Sequence, residues 1–194
     1  MEEDVELAVP LPAAAVRSAR RGAVTARPRP EGVRADLESV FRAAYPRVVG
    51  VAARVLGSRN EAEDVAQEVF LTFGRSAVPP GEAIGWLSVA AAHTALNHLR
   101  TGRRRAAREE SAGGETAVGD IADAVVALEE RRRVRAALSR LPRRQAVALV
   151  LRHSGLSYAE VAAALDLSPG SVGTIIRRAE SALRKELIRH ASSD

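Results

Sequence analysis

The stretch LSYAEVAAALDLSPGSVGTIIRRAESALRKEL, residues 156–187, decides how this chain is read. Ser157 followed by Glu160 is a capping box, which predicts a short helix from Tyr158 to Leu165. Asp166 and Leu167 make a turn. Ser168 can cap a second helix, with Pro169 in the first-turn slot where a missing N–H costs nothing. Along that second helix Val172, Ile175, Ile176, Ala179, Leu183 and Leu187 fall on one stripe. Thr174, Arg177, Arg178, Ser181, Arg184 and Lys185 fall on the opposite one. A short helix braced against a longer one with a basic outer face suits the major groove of DNA. The bland alternative is a solvated face on an ordinary helical hairpin, and the caps and turn spacing favour DNA.

The chain around this motif has the charge distribution of a polyanion binder. Net charge is +5 over 194 residues, but residues 111–130 carry five acids and no base. Residues 131–194 carry thirteen bases against five acids. A basic rear block behind an acidic segment suggests a polyanion-binding module and a linker kept off the polyanion. Of 29 basic residues only Lys185 is lysine, which reads as codon bias of a GC-rich genome.

Apolar residues make up 46% and aromatics 3%, so the cores must be built from Ala, Val and Leu, which suits small helical bundles. The absence of cysteine removes disulfides and thiolate metal sites and fits a reducing compartment. No apolar run has membrane-spanning length. The start Met1-Glu2-Glu3-Asp4, with Pro10 and Pro12 breaking its apolar stretch, is unlike a secretory signal. The expected location is the cytoplasm, with no membrane insertion.

Residues 1–35, with Pro10, Pro12, Pro28 and Pro30, read as a disordered tail. From Leu37 a helical stripe runs through Val40, Phe41, Ala44, Val48, Val51, Ala52 and Val55 to Gly57, and Pro46 predicts a kink or split within it. Ser58 and Glu61 form another capping box, opening a helix to about Arg75. A third helical run goes from about Glu82 to Arg100 and ends at Gly102. Residues 106–128 read as a linker, and helices resume through Leu138 to Pro142 and from Arg143 to His153. The expected fold is all-α: a front bundle, residues 36–105, and a rear bundle, residues 129–190, on a flexible acidic tether.

Two features of the front bundle carry chemistry. Between Glu61 and Arg75, Ala62, Val65, Ala66, Val69, Phe70 and Phe73 form the buried stripe. The opposite face presents Asp64, Gln67, Glu68 and Leu71 at helical spacing, a set suited to docking on a basic partner surface. A merely solvated face is the alternative. The following helix aligns His93, Asn97 and Arg100, with Arg103, Arg104 and Arg105 beyond. Asn and His can hydrogen-bond base edges and Arg can read guanine or phosphate. Singly, a half-buried histidine, a surface amide and a soluble helix end explain them equally well.

Together these parts resemble a known family. Glu61-Ala-Glu-Asp-Val-Ala-Gln-Glu-Val-Phe70 is similar to the second conserved region of bacterial sigma factors, and Trp86-Leu87 through Asn97 and Leu99-Arg100 looks like its end. Leu141-Pro142, Leu151-Arg152, Gly155-Leu-Ser-Tyr-Ala-Glu-Val-Ala and Gly170-Ser-Val172 look like the fourth region. With only these two regions, the chain resembles an extracytoplasmic-function (ECF) sigma factor.

The resemblance implies a non-enzymatic subunit, without metal or cofactor, that binds core RNA polymerase and directs it to promoters. Asp64, Gln67, Glu68 and Leu71 would dock on the clamp helices of the largest polymerase subunit, and region 4 on the flap of the second largest. His93, Asn97, Arg100, Arg103 and Arg104 would serve the −10 element, where a base is flipped from the stack. Arg152, Ser171, Gly173, Thr174, Arg177 and Arg178 would serve the −35 element. Trp86 is the only aromatic in its region after Phe73, so an extended stacking platform is not expected. The acidic linker resembles a segment that threads towards the polymerase cleft, and an anti-sigma factor is a possible further partner.

This sequence departs from the family in places. His93 stands where asparagine is usual, Gly173 and Ile175 where basic residues are common, and Glu180 where arginine is frequent. Gly173 is expected to permit close approach to DNA. A DNA-binding regulator that ignores polymerase remains a rival reading. An enzyme is a weaker one, because His93 and His98 do not share a helix face and no phosphate loop or nucleophile elbow occurs.

Overall fold

The computed structural model describes residues 34–110 and 122–191; the expected tail up to residue 33 and the centre of the expected linker lie outside them. Among the described residues the regular structure is helical: α1 Leu37–Leu56, α2 Arg59–Gly74, a 3-10 turn Pro80–Glu82, α3 Ala83–Glu110, α4 Ala122–Arg140, α5 Arg143–His153, α6 Tyr158–Leu165 and α7 Pro169–Ala191.

Local chemistry explains most boundaries. Gly57 ends α1 in the left-handed region, φ 75°, where a glycine carries no Cβ penalty. Ser58 accepts from the Glu61 amide to start α2. Ser157 and Glu160 form the reciprocal capping box of α6, and Asp166 closes that helix at φ 53°. The Ser168 hydroxyl accepts from the Ser171 amide at the head of α7.

Three boundaries differ from the sequence expectation. Pro46 sits inside an unbroken α1. It is exposed, so the carbonyl left without a partner one turn earlier can be solvated. Gly102 does not end α3, which continues to Glu110. The run Arg103 to Glu110 is made of Arg, Ala and Glu, whose helix preference outweighs one glycine. With α4 starting at Ala122, helix enters the expected linker from both sides.

The front boundary shifts too, because Arg34 already belongs to the fold. Its guanidinium donates to Asp36 at 2.6 and 2.7 Å and to the Val78 carbonyl at 2.5 Å, and lies 4.2 Å from the Phe73 ring centre. The Asp36 hydrogen bond raises the Arg34 pKa and lowers that of Asp36. This clip ties the entry of α1 to the end of α2 and the loop before α3.

α3 is the centre of the molecule. Trp86 through Ala92 and Thr94 through Leu96 are all buried, a run apolar on every side. It packs on α1 and α2 on one side and meets α4, α5 and α6 on another. The Ser88 hydroxyl inside this run donates to the Ile84 carbonyl at 2.7 Å. Phe73, Leu87, Leu96, Val51 and Val65 fill the front core, and Leu151, Leu156, Val147, Val172 and Ala179 the rear one. Full burial of each Leu or Phe contributes roughly 1.5–3 kcal/mol. Both sets belong to one continuous apolar cluster, so the two bundles stand against each other.

Candidate functional site

On α2 the buried stripe is Ala62, Val65, Ala66, Val69, Phe70 and Phe73, as its period requires. Turned outward are Asp64 and Gln67, with Glu68 half-buried beside them. Leu71, at 67% exposure, stands among these polar groups rather than in any core. The structure adds a residue that helical spacing on α2 could not reveal: His98 of α3 brings its Nε2 within 3.5 Å of Glu68. The face is therefore acidic with one apolar centre and one histidine at its border.

Of the three residues aligned on α3, His93 and Arg100 do not stand free. His93 is half-buried, and its Nδ1 accepts from Arg143 Nε of α5 at 2.6 Å. Arg100 donates from Nε to the Ser139 carbonyl and from its terminal nitrogen to the Leu141 carbonyl, both at 3.0 Å. It thereby caps the end of α4, where carbonyls lack helical partners. Asn97 is half-buried between them in sequence. Burial, then the nearby Arg143 and Arg100 guanidiniums, push the His93 pKa down to about 4, so the ring is a neutral acceptor near pH 7. Arg103 and Arg104 lie on the continuation of α3, and their side chains are outside those described. Trp86 is buried, with its ring 5.9 Å from Phe73, so it is not an open stacking platform.

The rear site is built on α6 and α7. Val172, Ile176 and Ala179 of α7 are buried. Ser171, Arg177 and Arg178 are exposed, and Thr174 is half-buried beside them. Gly173 sits elsewhere: a Cβ built on it would meet Tyr158 Cε1 at 3.7 Å, so this position faces α6. A methyl group there would sit at ordinary van der Waals distance, so the packing of α6 on α7 leaves room for a Cβ but not for a larger side chain. Arg152 is exposed, but its guanidinium donates to the Leu156 carbonyl at 3.3 Å and lies 5.3 Å from the Tyr158 ring centre. It braces the turn in front of α6. No group of metal-ligating residues occurs among the described residues.

Two helical units, an acidic face on one and a capped helix pair with a basic outer face on the other, now stand with comparisons to known proteins. Residues 40–105 match the family described as Sigma-70 region 2, and residues 131–183 match Sigma-70, region 4. The ECF RNA polymerase sigma factor SigK of Mycobacterium ulcerans strain Agy99 is 33% identical over 147 residues, covering 71% of this chain and 78% of that protein. This chain is an ECF sigma factor. The SigK of Mycobacterium bovis strain BCG is likewise 33% identical, covering 71% of this chain and 76% of the relative. Among solved structures, Bartonella quintana RpoE in complex with the anti-sigma factor NepR aligns at TM-score 0.46 and 21% identity, covering 78% of this chain and 96% of that one. As a sigma factor, the chain belongs to the subunits that bind core RNA polymerase and direct transcription initiation at promoters.

Proposed function

We propose a division of labour among the faces of this sigma factor. The α2 face of Asp64, Gln67, Glu68 and Leu71 docks on the clamp helices of the largest polymerase subunit, and region 4 engages the flap of the second largest. The α3 line of His93, Asn97 and Arg100, with Arg103 and Arg104 beyond, serves the −10 element. Ser171, Thr174, Arg177 and Arg178 serve the −35 element in the major groove, with Gly173 and Arg152 shaping the motif that presents them.

One contrast between the units carries this reading: exposed Leu71 amid acids on one, and on the other a helix with buried Val172, Ile176 and Ala179 and exposed Arg177 and Arg178. The first suits a protein surface of opposite charge, the second a duplex. The chain acts as an initiation subunit without catalysis of its own, in the cytoplasm, and no described helix is long and apolar enough to cross a membrane. An anti-sigma factor is a partner of this reading, as the family resemblance implies.

Run-off transcription with bacterial core polymerase on a fragmented genomic library tests it. The expected result is initiation at a small set of sites, with Asp64→Ala/Gln67→Ala losing core association while retaining duplex binding. Duplex binding without core association by the native chain would make this a plain DNA-binding regulator. Co-purification from the native host without a stoichiometric small protein would remove the anti-sigma factor.

A further inference from the structure

The seam between the two units uses the side chains assigned to the −10 element. His93 accepts from Arg143, and Arg100 holds the carbonyls of Ser139 and Leu141. A guanidinium cannot cap a helix end and reach a base or phosphate at once. At the seam's other end Arg47 of α1 pairs with Glu160 of α6 at 3.7 Å, and Gly85 of α3 faces Ala164 of α6.

The geometry points to a proton-sensitive latch: His93 and Arg100 hold region 4 closed over the α3 face through Arg143, Ser139 and Leu141, and protonating His93 releases it. The consequence for DNA rests on the assignment of that face under Proposed function; the latch does not.

The charges around His93 leave a proton no welcome. Arg143 faces it from α5, and Arg100 lies on its own helix two turns on. Of the other charged groups on the neighbouring elements, Arg47 pairs with Glu160, Glu68 with His98, and Arg140 of α4 with Glu186 of α7 at 3.6 Å, while Arg144 adds a further cation on α5. One terminal nitrogen of Arg143 is buried without a partner, so this guanidinium already depends heavily on His93. Protonation removes the Nδ1 lone pair that Arg143 uses and sets a third cation beside two others.

The sign follows from linkage. Burial and the Arg143 guanidinium, both relieved on opening, push the ring's pKa down to about 4 together with Arg100, so closure is favoured at neutral pH and weakened as pH falls from 6.5 towards 4. The closed-to-open ratio should drop by up to roughly two orders of magnitude across that span.

The chain has no cysteine, so Ala43→Cys and Ala163→Cys, both exposed, accept a spin-label pair across the seam in the full chain. Electron–electron distance measurement should give one short, narrow distribution at neutral pH. It should lengthen and broaden on acidification while far-ultraviolet circular dichroism holds. His93→Gln keeps an acceptor that cannot take up a proton and should stay closed throughout. Arg143→Ala should open at neutral pH, which decides the matter even if acid unfolds the chain. A distance unmoved by Arg143→Ala, or a His93→Gln variant that opens with the native pH profile, overturns the latch.

A mixed-sequence single-stranded oligonucleotide forms the second arm. Arg143→Ala should bind it more tightly, by about tenfold if roughly a tenth of native molecules are open. Opening without that gain leaves the latch standing and overturns the assignment of the α3 face to DNA.

Discussion

The Tyr158 ring lies against the place where a side chain on Gly173 would begin, with Cε1 3.7 Å from the Cβ position. That separation is ordinary van der Waals contact, so a methyl group fits and anything larger must displace the ring. Gly173 is also helical, where glycine is about 1 kcal/mol worse than alanine. Gly173→Ala should therefore raise the thermal midpoint by a few degrees and leave duplex affinity unchanged. Gly173→Leu should lower it by forcing Tyr158 off α7. Differential scanning calorimetry with anisotropy on a promoter duplex checks both. A stabilised Gly173→Ala variant that loses duplex binding would return the glycine to the DNA surface.

The α2 face proposed to meet polymerase makes a cleaner separation of stability from function. Leu71 is exposed, and Asp64 is exposed beside it. Leu71→Ala and Asp64→Ala should each change stability by no more than about 0.5 kcal/mol, the usual range for surface positions. Each should still weaken core polymerase binding severalfold or more, because an apolar anchor ringed by polar groups is where interface energy concentrates. Titration against core polymerase, paired with thermal melts of the free variants, checks the two halves of this claim together.

What the sequence made legible was local. Ser157 with Glu160, Ser168 with Pro169 and Gly57 each speak through neighbours within a few residues, and the structure has a cap at each place. The buried stripe of α2 followed from its 3.6-residue period. The seam was not legible. His93 and Arg143 are 50 residues apart, and Arg100 meets backbone carbonyls, which carry no sequence signature at all. Pro46 did not split α1, because its cost depends on whether the orphaned carbonyl meets water, a fact of tertiary placement. Gly102 misled because a stop signal is only a bias, and the strong helix formers after it prevailed.

α7, proposed to enter the major groove, should show its partner through salt. Arg177 and Arg178 are exposed near the front of α7, and the structure gives them no capping duty. Where one of them meets phosphate, its replacement by alanine should weaken all duplexes alike and reduce the salt slope by about one. Where one reads a base, the loss should be about 1–3 kcal/mol and confined to duplexes carrying that base. Anisotropy titrations over a range of potassium chloride, with the native and a substituted duplex, distinguish the two. A variant that changes neither quantity removes that arginine from the DNA face.

The cap on α6 gives the region 4 unit its own pH dependence. Glu160 accepts from the Ser157 amide at 2.7 Å while its own amide donates to the Ser157 hydroxyl at 3.2 Å. The Ser157 hydrogen bonds, and then Arg47, hold the Glu160 carboxyl below the usual carboxylate range. A carboxyl lowered on folding stabilises the fold above its unfolded pKa, and that contribution is lost as pH falls through the folded value. Thermal midpoints should thus be indifferent to Glu160 from neutral pH down to the carboxylate range and fall below it. Glu160→Gln keeps an acceptor but no charge, so its midpoint should fall less steeply there. Both measurements belong in a His93→Gln background, which removes the histidine that titrates just above. Parallel acid slopes for the native and Glu160→Gln chains would show that the ionised cap adds nothing beyond the hydrogen bond itself.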